Sequence, residues 1–207
     1  MMKTRSWRIE PARRSQIARL AQLHHDALPN DFLPSLGQDF LESVYYPAAL
    51  NSAHGITLVA TVADAPVGFV TVAHDADRFM GGVIRQACIS TSYYIARGIV
   101  RRPRMFVEVL GLTRTMAGPP DEVRGEIAFI AVDASQRGGG IGTALVRSAL
   151  DYLAERQVSR CRTKTLAANA GVIDMYRRLG WNVRDRFWLI GHEYATVVSP
   201  PIGCEPH

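Results

Sequence analysis

Cysteine, lysine and long apolar runs are all scarce in this 207-residue chain, and each scarcity excludes something. The three cysteines, Cys88, Cys161 and Cys204, are odd in number and unpatterned. They match no metal-ligand spacing and no disulfide framework, so a reducing cytoplasm is the expected compartment. His74 and His192 lie far apart, and His24-His25 falls in an amphipathic stretch where surface or core histidines are the ordinary reading. No metal is expected. No stretch approaches the roughly 18 uninterrupted apolar residues of a membrane span. The N-terminus, Met1-Met2-Lys3-Thr4-Arg5-Ser6-Trp7-Arg8, leads into Glu10 and Arg13-Arg14 rather than an apolar signal core.

Hydrophobic residues make up 47% of the chain and charged residues 21%, and the length suits one domain, 1–207, with a well-buried core. Lysine occurs only at Lys3 and Lys164, so the net charge of +5 comes almost wholly from arginine. A basic balance attracts nucleic acid, anionic membrane or phosphorylated ligands. A coding bias toward arginine gives the same count with no functional meaning, so charge alone decides nothing.

Residues 7–10 read as a first strand. Pro11 and the spacing of Ile17, Leu20 and Leu23 predict a helix over 13–28, ended by Pro29-Asn30. A second amphipathic helix over 36–46 is expected to stop at Pro47. Residues 56–62 and 67–73 alternate as strands do, with Ala63-Asp64-Ala65-Pro66 as the hairpin turn between them. The third from 75 to 120 is the least regular, with Gly81-Gly82, a helix over 84–100, Pro103 and an apolar stretch over 105–112. Beyond it the pattern sharpens. An apolar strand over 126–132 precedes a helix over 140–155 with Ile141, Ala144, Leu145, Ala149 and Leu153 on one stripe. A strand over 163–167, a helix over 170–179 and closing strands over 181–190 and 193–198 complete the order. That order indicates one mixed-sheet α/β domain carrying a basic helical insert at about 75–120.

The run from Glu126 to Leu145, with Ile130-Ala131-Val132-Asp133-Ala134-Ser135-Gln136-Arg137-Gly138-Gly139-Gly140-Ile141-Gly142-Thr143 inside it, is the informative one. A buried strand enters a loop with four glycines, and the loop opens a helix. Bare amides in such a loop and the positive end of the helix dipole form an anion site, to which Arg137 adds a charge-assisted contact. A nucleotide P-loop is excluded because no Lys precedes Thr143. A dinucleotide site is disfavoured because the loop lies two-thirds along the chain rather than in the first strand–helix unit.

Arg137-Gly138-Gly139-Gly140-Ile141-Gly142 resembles the (Arg/Gln)-x-x-Gly-x-(Gly/Ala) signature of the GNAT superfamily of acetyl-CoA-dependent N-acetyltransferases. The block from Asn169 through Tyr176 to Gly180-Trp181 is similar to that family's Asn-x-x-Ala-x-x-(Phe/Leu)-Tyr-x-x-x-Gly-Phe block, with Gly171, Asp174 and Trp181 as departures. The resemblance is strong over 126–181, faint over the first 75 residues and absent from 75–120. It implies a GNAT-like fold, a mostly antiparallel sheet flanked by helices with two splayed coenzyme strands. It implies acetyl-CoA as co-substrate, its pyrophosphate on Arg137, Gly138, Gly139, Gly140, Ile141, Gly142 and Thr143. The pantetheine arm is expected along the backbone of Ile130, Ala131 and Val132, with Asn169 beside it.

The resemblance also implies roles for two side chains. A protonated amine must lose a proton before it attacks a thioester, and the leaving thiolate must gain one. Glu126, opening the coenzyme strand in an apolar segment, matches the catalytic glutamate of the family's histone-acetylating branch. Its plainer reading is a strand-edge charge. Tyr176 matches the tyrosine that protonates the thiolate in many members, and is otherwise the apolar anchor of its helix. Asn169 also suits a helix cap. An oxyanion donor is expected from a strand amide near Ile130.

Between Arg78 and Arg114, the arginines Arg78, Arg85, Arg97, Arg101, Arg102, Arg104 and Arg114 stand against a single acid, Glu108. The segment could roof an acceptor cleft and favour a small phosphate-bearing amine such as a nucleotide-linked amino sugar. It could instead rest on an anionic membrane surface, or be a solvated face of an ordinary lid. A protein or peptide acceptor, a non-catalytic CoA-binding module and a homodimer stay open. Nucleic acid is not expected, since no helix-turn-helix or aromatic RNA motif is visible.

Overall fold

The computed structural model describes residues 7–29, 31–86, 123–189 and 191–203. Among them, one seven-stranded sheet has the order β1-β2-β3-β4-β5-β7-β6. The strands are β1 (Arg8–Pro11), β2 (Gly55–Val62), β3 (Ala65–Ala73), β4 (Gly125–Val132), β5 (Cys161–Leu166), β6 (Asn182–Leu189) and β7 (His192–Val198). Every pairing is antiparallel except β4 with β5. A parallel pair needs a crossover, and α6 (Ile141–Ala154) supplies it. Pro11 ends β1 at the sheet edge, where a missing N–H breaks no central ladder.

Side chains alternate between two cores. Leu58, Val70, Val72, Ile127, Ala195 and Val197 join the buried stripe of α6 and α7 (Ala170–Arg178) on one side. Val59, Phe69, Ala73 and Ala131 face the opposite core, built on α1 (Ile17–Ala27) and the helices before β2. Of the expected stripe on α6, Ile141, Leu145, Ala149 and Leu153 are buried. Arg19 on α1 ties that helix to the end of β4 through Nη2 to Asp133 Oδ2 at 2.6 Å.

Two helical expectations need correction. After α2 (Phe32–Ser35), α3 (Gln38–Phe40) runs through a π-helical turn at Leu41–Tyr45 into α4 (Tyr46–Leu50), so Pro47 does not end it. A proline lacks the N–H and crowds the carbonyl four residues back; the wider π turn precedes it here and Pro47 falls in the first turn of α4. Buried Phe40, Leu41, Val44, Tyr45 and Tyr46 hold the whole stretch against α1 and the sheet. Second, a helix already starts at Ala76, as α5 (Ala76–Gln86), where one was expected only over 84–100. Asp75 Oδ1 accepts from the Arg78 amide at 3.1 Å at its start, and Phe79 and Val83, four apart, bury into the α1-side core. Residues 87–100 of the expected span, and the arginines from Arg97 onward, lie outside the described residues.

Candidate active site

The site begins where β4 and β5 part. They pair only at Gly125↔Cys161, Glu126↔Arg162 and Ile127↔Thr163, although β4 runs on to Val132 and β5 to Leu166. Thr163 Oγ1 donates to the Ile127 carbonyl at 3.0 Å at this last rung. On its other side β4 carries a bulge: Thr71 faces Phe129 and Val72 faces Ile127, so Ala128 has no partner on β3. A bulge adds one residue and inverts the alternation beyond it. Hence Ile127 packs in the α6-side core, whereas past the bulge it is Ile130 and Val132 that pack there, with Phe129 and Ala131 turned to α1. The segment Ala128, Phe129, Ile130, Ala131 and Val132 thus has no β5 partner, and backbone groups on that side are open to a ligand.

The glycine-rich loop leads from this free edge into α6. Asp133 Oδ1 accepts from the Ser135 amide at 3.0 Å and its hydroxyl at 2.7 Å, starting a single 3-10 turn. Those bonds, with the Arg19 guanidinium, hold the Asp133 carboxyl below the usual carboxylate range. Arg137 folds back, its Nε donating to the Val132 carbonyl at 3.2 Å. Gly138 and Gly140 have φ of +81° and +82°, a left-handed backbone that only glycine adopts without strain, and a Cβ on either would enter open space. The first intrahelical bond runs from Ala144 N–H to the Gly140 carbonyl at 3.0 Å. The amides of Ile141, Gly142 and Thr143 therefore point out of the helix start, as at any helix N-terminus. Arg137, Gly138, Gly139 and Gly140 are exposed. This arrangement fits an anion.

Tyr176 lines the gap from α7. Its side chain is 1% exposed, and its hydroxyl, buried, has no hydrogen-bond partner among the described residues. Burial pushes this phenol above its ordinary pKa, so it stays protonated at neutral pH. The end of α7 explains its company. Gly180 N–H bonds to the Arg177 carbonyl and Trp181 N–H to the Tyr176 carbonyl, a Schellman arrangement with Gly180 at φ +80°. That closure packs Trp181 against Tyr176, the rings tilted by 44° with centroids 4.7 Å apart, so a tryptophan in place of the family's phenylalanine fills core here. Asn169 caps α7, Oδ1 accepting from the Val172 amide at 3.4 Å, and also lines the gap.

Glu126 stands one rung inside the closed end, and its Oε2 accepts from Arg162 Nε at 2.6 Å with both side chains largely buried. It is not among the residues lining the gap, whereas Ile130, Asn169 and Tyr176 are. No local sequence signal places Leu28, Asp31, Phe129, Thr163, Lys164 and Tyr194 there as well, since they come from four separate elements or links. Cys161 is buried, and burial drives its thiol well above the ordinary value, as a quiet core residue requires. No group of three metal-ligating side chains occurs among the described residues. No described helix is long and apolar enough to cross a membrane.

The family model for the acetyltransferase (GNAT) family matches residues 17–181. The chain belongs to that family. It is thereby an acyltransferase, of a family that draws its acetyl group from acetyl-CoA. Solved structures agree in fold. The chain is similar to a ribosomal-protein-alanine N-acetyltransferase from Brucella melitensis at 17% identity and a TM-score of 0.62, covering 93% of this chain and 99% of that one. It is also similar to the ribosomal-protein-S18-alanine N-acetyltransferase from Escherichia coli, at 15% identity and 0.59, covering 97% of each. A chain of the NatC complex bound to Gag peptide and CoA matches at 17% identity and 0.57, covering 94% of this chain and 98% of that one.

Proposed function

We propose that the protein moves the acetyl group of acetyl-CoA onto a primary amine by direct attack in a ternary complex. The observation that carries this reading is the parted sheet, with an anion cradle at one end of the free β4 edge and Tyr176 among the residues that line the gap. Acetyl-CoA supplies a thioester that is already activated, so no covalent enzyme intermediate is needed. Arg137, Gly138, Gly139, Gly140, Ile141, Gly142 and Thr143 would hold the pyrophosphate. The backbone of Ile130, Ala131 and Val132, with Asn169 opposite, would hold the pantetheine arm, and an amide near Ile130 would face developing negative charge.

Primary amines have pKa values of about 8–10 and arrive protonated at neutral pH. Glu126 is the base proposed for that proton; because it is set back from the gap, an intervening water would carry the proton to Oε1 while Arg162 keeps Oε2. Tyr176 would return a proton to the leaving sulfur. For the acceptor, the arginines of 75–120 favour a small amine bearing an anionic group, such as a nucleotide-linked amino sugar. A second reading is a peptide N-terminus, because neighbours of the same fold are described as acting on alanine of ribosomal proteins.

The test is an acceptor screen with acetyl-CoA and thiol detection, spanning amino sugars, nucleotide sugars, amino acids, polyamines and Ala-initiated peptides. With the best acceptor, intersecting double-reciprocal lines are expected, and Glu126→Gln should lower kcat/KM by about 10²–10⁴-fold near neutrality. Parallel lines with activity lost in Cys161→Ala would overturn direct transfer. A Glu126→Gln enzyme within a few-fold of wild type, with a parallel pH profile, would remove Glu126 from the mechanism and leave the coenzyme site standing.

A further inference from the structure

Asp31 is the only acidic side chain lining the gap between β4 and β5 among the described residues. It sits in the link between α1 and α2, half-buried, and its Oδ1 accepts a long 3.4 Å hydrogen bond from the Tyr194 hydroxyl on β7. No cation pairs with it among the described residues, and Lys164, which lines the same gap, makes no ion pair with it. Burial raises its carboxyl above the usual carboxylate range, and only the Tyr194 bond works in the opposite direction.

The sheet's alternation says which side this acid occupies. Ala195 and Val197 on β7 pack in the α6-side core, so Tyr194 and Thr196 project to the α1 side, where Phe129 also packs. Asp31 and Tyr194 are therefore the polar pole of a wall that Leu28 and Phe129 make apolar. The glycine loop continues from the β4 edge into α6, and Tyr176 reaches the gap from α7, both on the opposite side. A nucleophile entering from the α1 side meets Asp31.

We propose that Asp31, steadied by Tyr194, receives the ammonium group of the acceptor, selecting a primary ammonium on a short uncharged neck over neutral molecules of the same shape. A half-buried carboxylate with no cation of its own regains an electrostatic partner when such a group arrives, and the Leu28–Phe129 wall takes the neck. This rests on the reading of the gap as the acetyl-transfer site. It assigns a substrate-binding residue and leaves the proton-transfer roles unchanged.

The experiment titrates n-butylammonium and butanol, separately, into the full chain at pH 7, with binding followed by ligand-observed NMR. CoA affinity is measured on the same samples by calorimetry. Wild type should prefer the ammonium by about tenfold or more, the effect of one charge-assisted contact. Asp31→Asn should abolish that preference with CoA affinity within about twofold. Asp31 caps α2 by position but makes no side-chain cap bond, so the variant should keep its fold, checked by circular dichroism. Asp31→Ser serves as a second removal of the charge, and loss of fold in both would make the carboxylate structural and overturn the proposal. So would a wild type with no ammonium preference, or an Asp31→Asn chain that keeps it. A wild type that binds ammonium through Asp31 but shows no CoA affinity would instead sink the acetyl-transfer reading.

Discussion

Tyr176 is both a core residue and a buried polar group, and these two properties predict separable effects on substitution. Tyr176→Phe keeps the ring against Trp181 and removes a buried hydroxyl that has at most a weak contact with Thr163. Stability should hold or rise slightly, acetyl-CoA affinity should stay nearly constant, and kcat should fall by about 10-fold or more if the phenol protonates the thiolate. A variant that loses stability while its kcat is intact would reduce Tyr176 to a helix anchor. His24 gives a second test at this scale. Its ring is buried among Tyr45, Tyr46, Phe69 and Phe129, with Nδ1 3.1 Å from the Tyr46 hydroxyl. Burial, aided by the neighbouring His25, lowers its pKa from 6.5 to about 3. The folded state therefore keeps His24 neutral while the unfolded chain takes up a proton below pH 6.5. The stability this group contributes is full above pH 6.5 and falls, by about 1.4 kcal/mol per pH unit, as pH drops from there toward 3. Denaturant melts at pH 7, 6, 5 and 4 should show wild type losing this component and His24→Gln lacking it. A wild-type-minus-variant difference that is flat with pH would contradict it. The sequence placed His24 and His25 together; only packing separates the buried ring from the exposed one.

At the scale of elements, the bulge at Ala128 and the end of β4–β5 pairing coincide, and together they create the free edge. Gly125 secures the closed end. A Cβ there would meet the Arg160 carbonyl at 2.7 Å and Val158 Cγ1 at 2.9 Å, backbone and core that cannot withdraw cheaply. Gly125→Ala should cost about 1–3 kcal/mol, as overpacking does. In a domain of this size that lowers Tm by roughly 2–4 °C per kcal/mol. An unchanged Tm would mean β4 and β5 tolerate wedging apart at their paired end. Elements with strong periodicity were legible in advance: α6, β2, β3 and β4 lie within a residue or two of their expected spans. The bulge was not, because Ala128 differs in no way from its apolar neighbours until pairing is known. Nor was the π turn, since a proline in a helical pattern ordinarily ends it.

For the whole molecule, the sheet separates two cores, and the site exists because the sheet opens between them. The glycine loop, α6 and α7 belong to one side; α1, the link bearing Asp31 and the outward face of β7 belong to the other. Local motifs made the first side readable, since loop and helix cap are contiguous in sequence. The second side is assembled from residues up to 163 positions apart, such as Asp31 and Tyr194, and no local pattern marks such a pair. The central claim is that the loop opening α6 holds the coenzyme's pyrophosphate. Calorimetry of acetyl-CoA binding to wild type, Gly140→Asn and Gly140→Asp tests it most directly. Asn and Asp impose similar backbone strain at φ +82°, and only Asp brings a negative charge into the cradle. Gly140→Asp is expected to abolish binding while staying folded, with Gly140→Asn weakened less. Unchanged affinity in a folded Gly140→Asp protein would contradict the assignment.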